Sequence, residues 1–150
     1  MSRTKEIIGK IQTILSGITG VTVADGLYPD AIVNEVGNRY PAIILKMYDS
    51  EFPDISNAGQ TYIEERSIGI MIYVDSNGID DTALKLAEIE DEVISSLAGN
   101  ANLGIYEGYV FVNGVKAGEK YDGQSDLYNV GFYEDCAVSE VMTTINYRRC

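Results

Sequence analysis

This chain has no histidine among its 150 residues, so any chemistry must come from carboxylates, lysines, cysteines or tyrosines. That removes the usual general base, the commonest zinc ligand and every Ser-His or Cys-His nucleophile pair. The two cysteines, Cys136 and Cys150, lack metal-ligand spacing, and Cys150 is the last residue of the sequence, where chains fray. Neither a structural disulfide nor a zinc site is expected. Asp75-Ser-Asn-Gly78-Ile-Asp80-Asp81 resembles the opening of a calcium loop. An EF-hand needs glycine at its sixth position and a bidentate glutamate at its twelfth. Counted from Asp75, those positions are Asp80 and Leu86, so the match fails and a turn followed by a helix cap explains the run. Glu88, Glu90, Asp91 and Glu92 form an acidic cluster in which Glu88 shares a helix face with Asp91 and Glu92. That is the spacing of a carboxylate pair or a metal flank. On a single helix it is more simply a solvated surface, or else a subunit contact. The glycines at 104, 108, 114 and 118 fit neither the dinucleotide fingerprint nor the P-loop. No catalytic, cofactor-binding or metal residue is assigned, and no cofactor or enzymatic activity is expected.

Charge points the same way. The net charge is −12, from 23 acidic and 11 basic residues, with no basic run. Gripping a duplex requires Lys and Arg to neutralise phosphates, so nucleic-acid binding is not expected. The eleven tyrosines then read as sheet and interface packing rather than as a stacking platform for single strands. A hydrophobic content of 45% can build a core, and the length suits one domain over 1–150. No apolar run approaches the roughly 20 residues of a membrane span. The opening MSRTKEIIGK lacks the apolar core of a signal peptide. No membrane partner is expected, nor any routing out of a cytoplasm.

The elements are organised around Thr61 to Gly99. Tyr62 to Val74 repeats with period two, through Tyr62, Glu64, Arg66, Ile68, Ile70, Ile72 and Val74, which predicts a strand. Its polar first half is expected to run past the core. After the turn residues Asp75 to Gly78, Ala83, Leu86, Ile89, Val93 and Leu97 fall at helical spacing, with Ala87 and Ile94 widening the stripe. A helix over about 80–98 is expected, capped by Asp80 and stopped by Gly99. A first helix over 4–16 follows from Ile7, Ile8, Ile11, Ile14, Leu15 and Ile18. Further strands are expected at Val21–Ala24, Tyr40–Tyr48, Tyr106–Val112 and Ala137–Tyr147. Asp25–Arg39 reads as a semi-irregular connection, Asn113-Gly114 as a turn, and Leu127–Phe132 as the start of an extended run. The order α-β-β-β-α-β-β predicts an α+β fold, a mostly antiparallel sheet packed by two helices. Ile7, Ile11, Ile14, Ile70, Ile72, Leu86, Ile89, Val93 and Leu97 are its expected core.

This arrangement resembles the tail terminator (tail completion) proteins of long-tailed bacteriophages. The resemblance rests on the amphipathic first helix, a strand opened by Tyr40-Pro41-Ala42, and a long loop. Next come SIGIMIYVD, running through Asp80-Asp81 into ALKLAEIEDEVISSL, and VFVNGVKAGEKYDGQSDLYNVGFYEDCAVSEVMTTINYRR, whose closing strand ends Tyr147-Arg148-Arg149. It covers most of the chain, with 21–39 matching least. The resemblance implies a structural virion protein, assembled in the host cytoplasm. It would form a homo-oligomeric ring, typically a hexamer, on the head-proximal end of the tail tube, stopping tube polymerisation and joining the tail to the head-neck connector. The implied partners are the tube protein, the connector (stopper) protein and, in a contractile tail, the sheath. Genomic DNA would pass through the lumen without specific binding, which suits an acidic chain. Another head-tail joining or tube-type virion protein is the alternative within this class. A small acidic enzyme using carboxylates is the alternative outside it.

For such an assembly the contacts are expected first on Asp49–Gln60. Twelve residues is long for a hairpin loop, and it carries Phe52 and Ile55 with no obvious place in a local core. The adjoining strand start, Tyr62, Glu64 and Arg66, would carry that loop outward. Asp122 to Asp126 ranks second, and Arg148-Arg149 third as a salt-bridging end.

Overall fold

The computed structural model describes residues 3–28, 31, 41–55, 62–75, 79–100, 108–116 and 136–149. Two helices and five strands follow the expected order: α1 (Arg3–Leu15), β1 (Thr22–Leu27), β2 (Ala42–Ile55), β3 (Tyr62–Asp75), α2 (Ile79–Ala98), β4 (Gly108–Lys116) and β5 (Cys136–Arg149). The sheet runs β1-β2-β3-β5-β4. Three of its four pairings are antiparallel, and β1 lies parallel to β2. The α+β architecture is therefore the one its element order predicts.

The central strand is β3, paired along its whole length with β5 and, through two irregularities, with β2. From Ile68 to Val74 its even-numbered residues face the helices. Ile68, Ile70, Ile72 and Val74 join Ile43, Leu45, Val141 and Ile145 of the neighbouring strands in one apolar layer. From above, α1 adds Ile7, Ile11 and Leu15, and α2 adds Leu86, Ile89, Val93 and Leu97. Helical and strand periods thus meet at one interface. Every expected core residue is buried except Ile14, which is half-buried against the cluster. Ala87, expected to widen the α2 stripe, is exposed. Gln12 ties α1 to the β1 strand by donating to the carbonyls of Ala24 at 3.2 Å and Asp25 at 2.9 Å.

The opposite face of the sheet is buried as well over its central strands. Ile44, Met71, Tyr73 and Val138 are each at most 1% exposed. Their alternation with the helix-facing residues makes β2, β3 and β5 apolar on both faces at this end, as strands buried on both sides must be.

Three strand boundaries differ from those the sequence suggests. The twelve-residue connection expected over Asp49–Gln60 is largely strand, because β2 continues to Ile55 and pairs Ile55 with Tyr62. Its turn residues are absorbed by two β-bulges, one at Tyr48-Asp49 opposite Ser67 and one at Phe52-Pro53 opposite Glu64. Pro53 can sit in a strand because a bulge excuses its missing N–H from the ladder. Asn113-Gly114 is likewise no turn: Asn113 is the extra residue between the pairs Val112–Thr143 and Gly114–Met142, and β4 runs on to Lys116. Asp25 to Leu27, expected to be irregular, completes β1. The extended run expected at Leu127–Phe132 lies outside the described residues.

Candidate interaction surface

Among the described side chains the helix-covered layer ends near Leu45, Ile68 and Ile145. Beyond it β2, β3 and β5 continue together for several residues as an arm, joined along β5 by the start of β4 as far as the Gly108–Tyr147 pair. This arm holds the described part of the expected contact region.

On its helix-side face, Glu64 and Arg66 stand two residues apart on β3 and pair with each other, Arg66 Nη2 donating to Glu64 Oε2 at 3.2 Å. Arg66 Nη1 also donates to the Tyr48 carbonyl at 3.0 Å, beside the first bulge. The Glu64 side chain is fully buried and that of Arg66 is 19% exposed. The polar start of β3 runs beyond the helix-covered layer, as expected, but Glu64 is not the exposed contact residue it was expected to be. Glu64 is polar because it is neutralised internally, and it presents no surface to a neighbour. The backbones of Phe52, Ile55, Tyr62, Arg148 and Arg149 lie in the arm's strands. Their side chains, with Asp122 and Asp126, lie outside the described residues.

On the other face, Tyr48 reaches diagonally over β3 and its hydroxyl donates to Glu140 Oε2 on β5 at 2.5 Å. The intervening residue is Gly69. A Cβ there would overlap the Glu140 carboxylate and come within 2.9 Å of the Tyr48 ring, so glycine makes the room for this bond. Glu140 is 2% exposed. Burial first, and then the bond to Glu140, push the Tyr48 hydroxyl well above the usual tyrosine range. That is the opposite of what an activated phenolate needs, so Tyr48 serves as a donor. Lys46 places its ammonium 4.9 Å from the ring centroids of both Tyr28 and Tyr48, a double cation–π contact.

The first bulge puts Tyr48 and Asp49 together opposite Ser67, and next to them Glu51 pairs directly with Glu65. With Met142 and Thr144 of β5 these residues line an open groove of about 430 Å³. Neither the bulge nor the groove was foreseeable from composition, because the loop-like residues of β2 break its alternation where the bulges fall.

In the acidic cluster of α2, Glu88, Asp91 and Glu92 are exposed and Glu90 is half-buried in the single chain. Among the described residues no group of three acidic or sulfur-bearing side chains is placed to hold a metal ion. No described helix is long and apolar enough to cross a membrane. The chain matches no protein-family model and no curated protein.

Proposed function

We propose that the chain is a tail terminator of a long-tailed bacteriophage, a structural protein that closes the head-proximal end of the tail tube as a ring and offers the next surface to the head-neck connector. The observation that carries this reading is the order of elements with the segments that occupy them. SIGIMIYVD closes β3, ALKLAEIEDEVISSL lies within α2, and the strand ending Tyr147-Arg148-Arg149 is β5, in the sequence helix, three strands, helix, two strands. The charge supports it, because a ring built from chains of −12 repels DNA phosphates and favours passage over binding. The long arm of β2, β3 and β5 supports it too, since a sheet extension beyond its own core suits contact with another subunit.

The experiment is the mass of the purified protein in solution, measured alone and after mixing with tail tubes. A species several times the 16.4 kDa chain is expected, either free or on the tubes if assembly needs that template. A protein that stays monomeric under both conditions overturns the ring.

A further inference from the structure

The two sides of β3 are held unequally in the arm. Toward β5 the ladder is unbroken from Tyr62–Arg149 to Asp75–Cys136. Toward β2 the two bulges interrupt it, leaving Ser50–Arg66 with Glu51–Glu65 and Asp54–Ile63 with Ile55–Tyr62. Pro53, between these two groups of pairs, has no N–H to donate. Glu51 and Glu65 stand directly opposite each other, a position where like charges repel. The outer half of β2 is also an edge. β1 supports β2 only as far as Leu45, whose carbonyl takes the Tyr28 N–H at 2.9 Å. Beyond that point no strand pairs with the outer side of β2 among the described residues.

Immediately inside this stretch the strand is pinned from both faces. Arg66 Nη1 donates to the Tyr48 carbonyl at 3.0 Å from the helix side, and the Tyr48 hydroxyl donates to Glu140 on the other. The first bulge falls at Tyr48-Asp49, so firm and weak attachment meet there. Segments with few, interrupted ladder bonds open locally at a lower cost than the whole fold. We infer that Ser50–Ile55 is a hinged strap, which lifts from β3 as a unit about Asp49 while Tyr48 holds the strand inside the hinge and the β3–β5 ladder stays closed. With the strap shut, the arm ends in β2. With it open, the backbone of β3 from Tyr62 to Arg66 becomes the edge instead. The arm thus has two edges to present, and the switch between them leaves the core untouched. This inference concerns the single chain and stands whether or not the ring forms.

Native-state hydrogen exchange, followed amide by amide by NMR on the full chain, tests it. Alternate N–H groups of a central antiparallel strand point to its two neighbours. From Tyr62 to Arg66 the β3 amides that face β2 should therefore be at least about tenfold less protected than those that face β5. From Ile68 to Ile72, inside the hinge, the two sets should be protected alike. Glu51→Lys puts opposite charges across the Glu51–Glu65 position. It should slow exchange of the β2-facing set by about two- to fivefold and leave the β5-facing set unchanged. If all the arm's β3 amides are equally well protected, the strap does not open and the inference is overturned. If all exchange equally fast, the arm frays as a whole and there is no hinge. If the two sets differ but Glu51→Lys leaves that difference unchanged, the pairing of the strap does not govern the opening, and the inference is overturned as well.

Discussion

Tyr48 and Glu140, 92 residues apart in the chain, meet at 2.5 Å across the backbone of Gly69. The bond fastens β2 and β5 to each other over β3, the strand between them. It also explains a glycine in the middle of the central strand, where a glycine ordinarily costs about 0.5–1 kcal/mol relative to alanine.

Gly69→Ala therefore has a diagnostic sign. Propensity alone predicts a gain in stability, whereas the closeness of the Glu140 carboxyl carbon at 2.8 Å and the Tyr48 ring at 2.9 Å predicts a loss. We expect a loss of about 1–3 kcal/mol, in the range of overpacked cores, measured by urea denaturation. An unchanged or raised midpoint would mean that the pair moves aside freely.

Tyr48→Phe should cost about 1–3 kcal/mol, because the buried Glu140 carboxylate loses its donor. The variant also tests the titration. The folded-state pKa of Tyr48 lies above its ordinary value of 10.0. Its contribution to stability is therefore fully present below pH 10 and declines as pH rises above it, because the unfolded chain releases that proton first. The wild type should lose more stability than Tyr48→Phe between pH 9 and pH 11, both read by denaturant midpoints. Parallel losses would show that Tyr48 titrates normally.

Leu97→Ala should destabilise by about 2–5 kcal/mol, since Leu97 is 1% exposed and sits where α2 meets the sheet. Leu84→Ala on the same helix is the control. Its side chain is 65% exposed, and the change should stay within about 0.5 kcal/mol. Equal effects in thermal melts would contradict the orientation of α2.

Ser139→Ala should stabilise the protein or leave it unchanged. Ser139 is fully buried on β5 and its hydroxyl has no hydrogen-bond partner among the described residues, so with that set of contacts the side chain bears a desolvation cost with no return bond. Its neighbour Thr143 differs, donating to the Ile68 carbonyl at 2.7 Å. Thr143→Val should therefore destabilise where Ser139→Ala does not. A loss at Ser139 comparable to that at Thr143 would show a missed partner.

The parts of this fold legible in the sequence are those with local periodicity. The alternation of Ile68, Ile70, Ile72 and Val74 and the helical stripe of Leu86, Ile89, Val93 and Leu97 each predict an element and its buried face. What was hidden depends on distant partners. Asp49, Ser50, Pro53 and Asp54 have loop composition, and only pairing with β3, with bulges to absorb the extra residues, makes them strand. Glu64 looks solvent-bound by residue type, yet its neighbour Arg66 neutralises it where it is buried. The parallel pairing of β1 with β2, the Tyr48–Glu140 bond and the acidic groove have no local signature at all. They appear only once the strands are in register.

The most direct test of the terminator reading is the length of tail tubes polymerised in its presence. Tube protein is assembled with increasing amounts of the wild-type chain, and the tubes are imaged by electron microscopy. The account predicts a ring at one end of each tube and an arrest of growth once ends are saturated, with no retention of duplex DNA by the ring near physiological salt. Tubes that grow on unchanged at saturating protein, with bare ends, would contradict it.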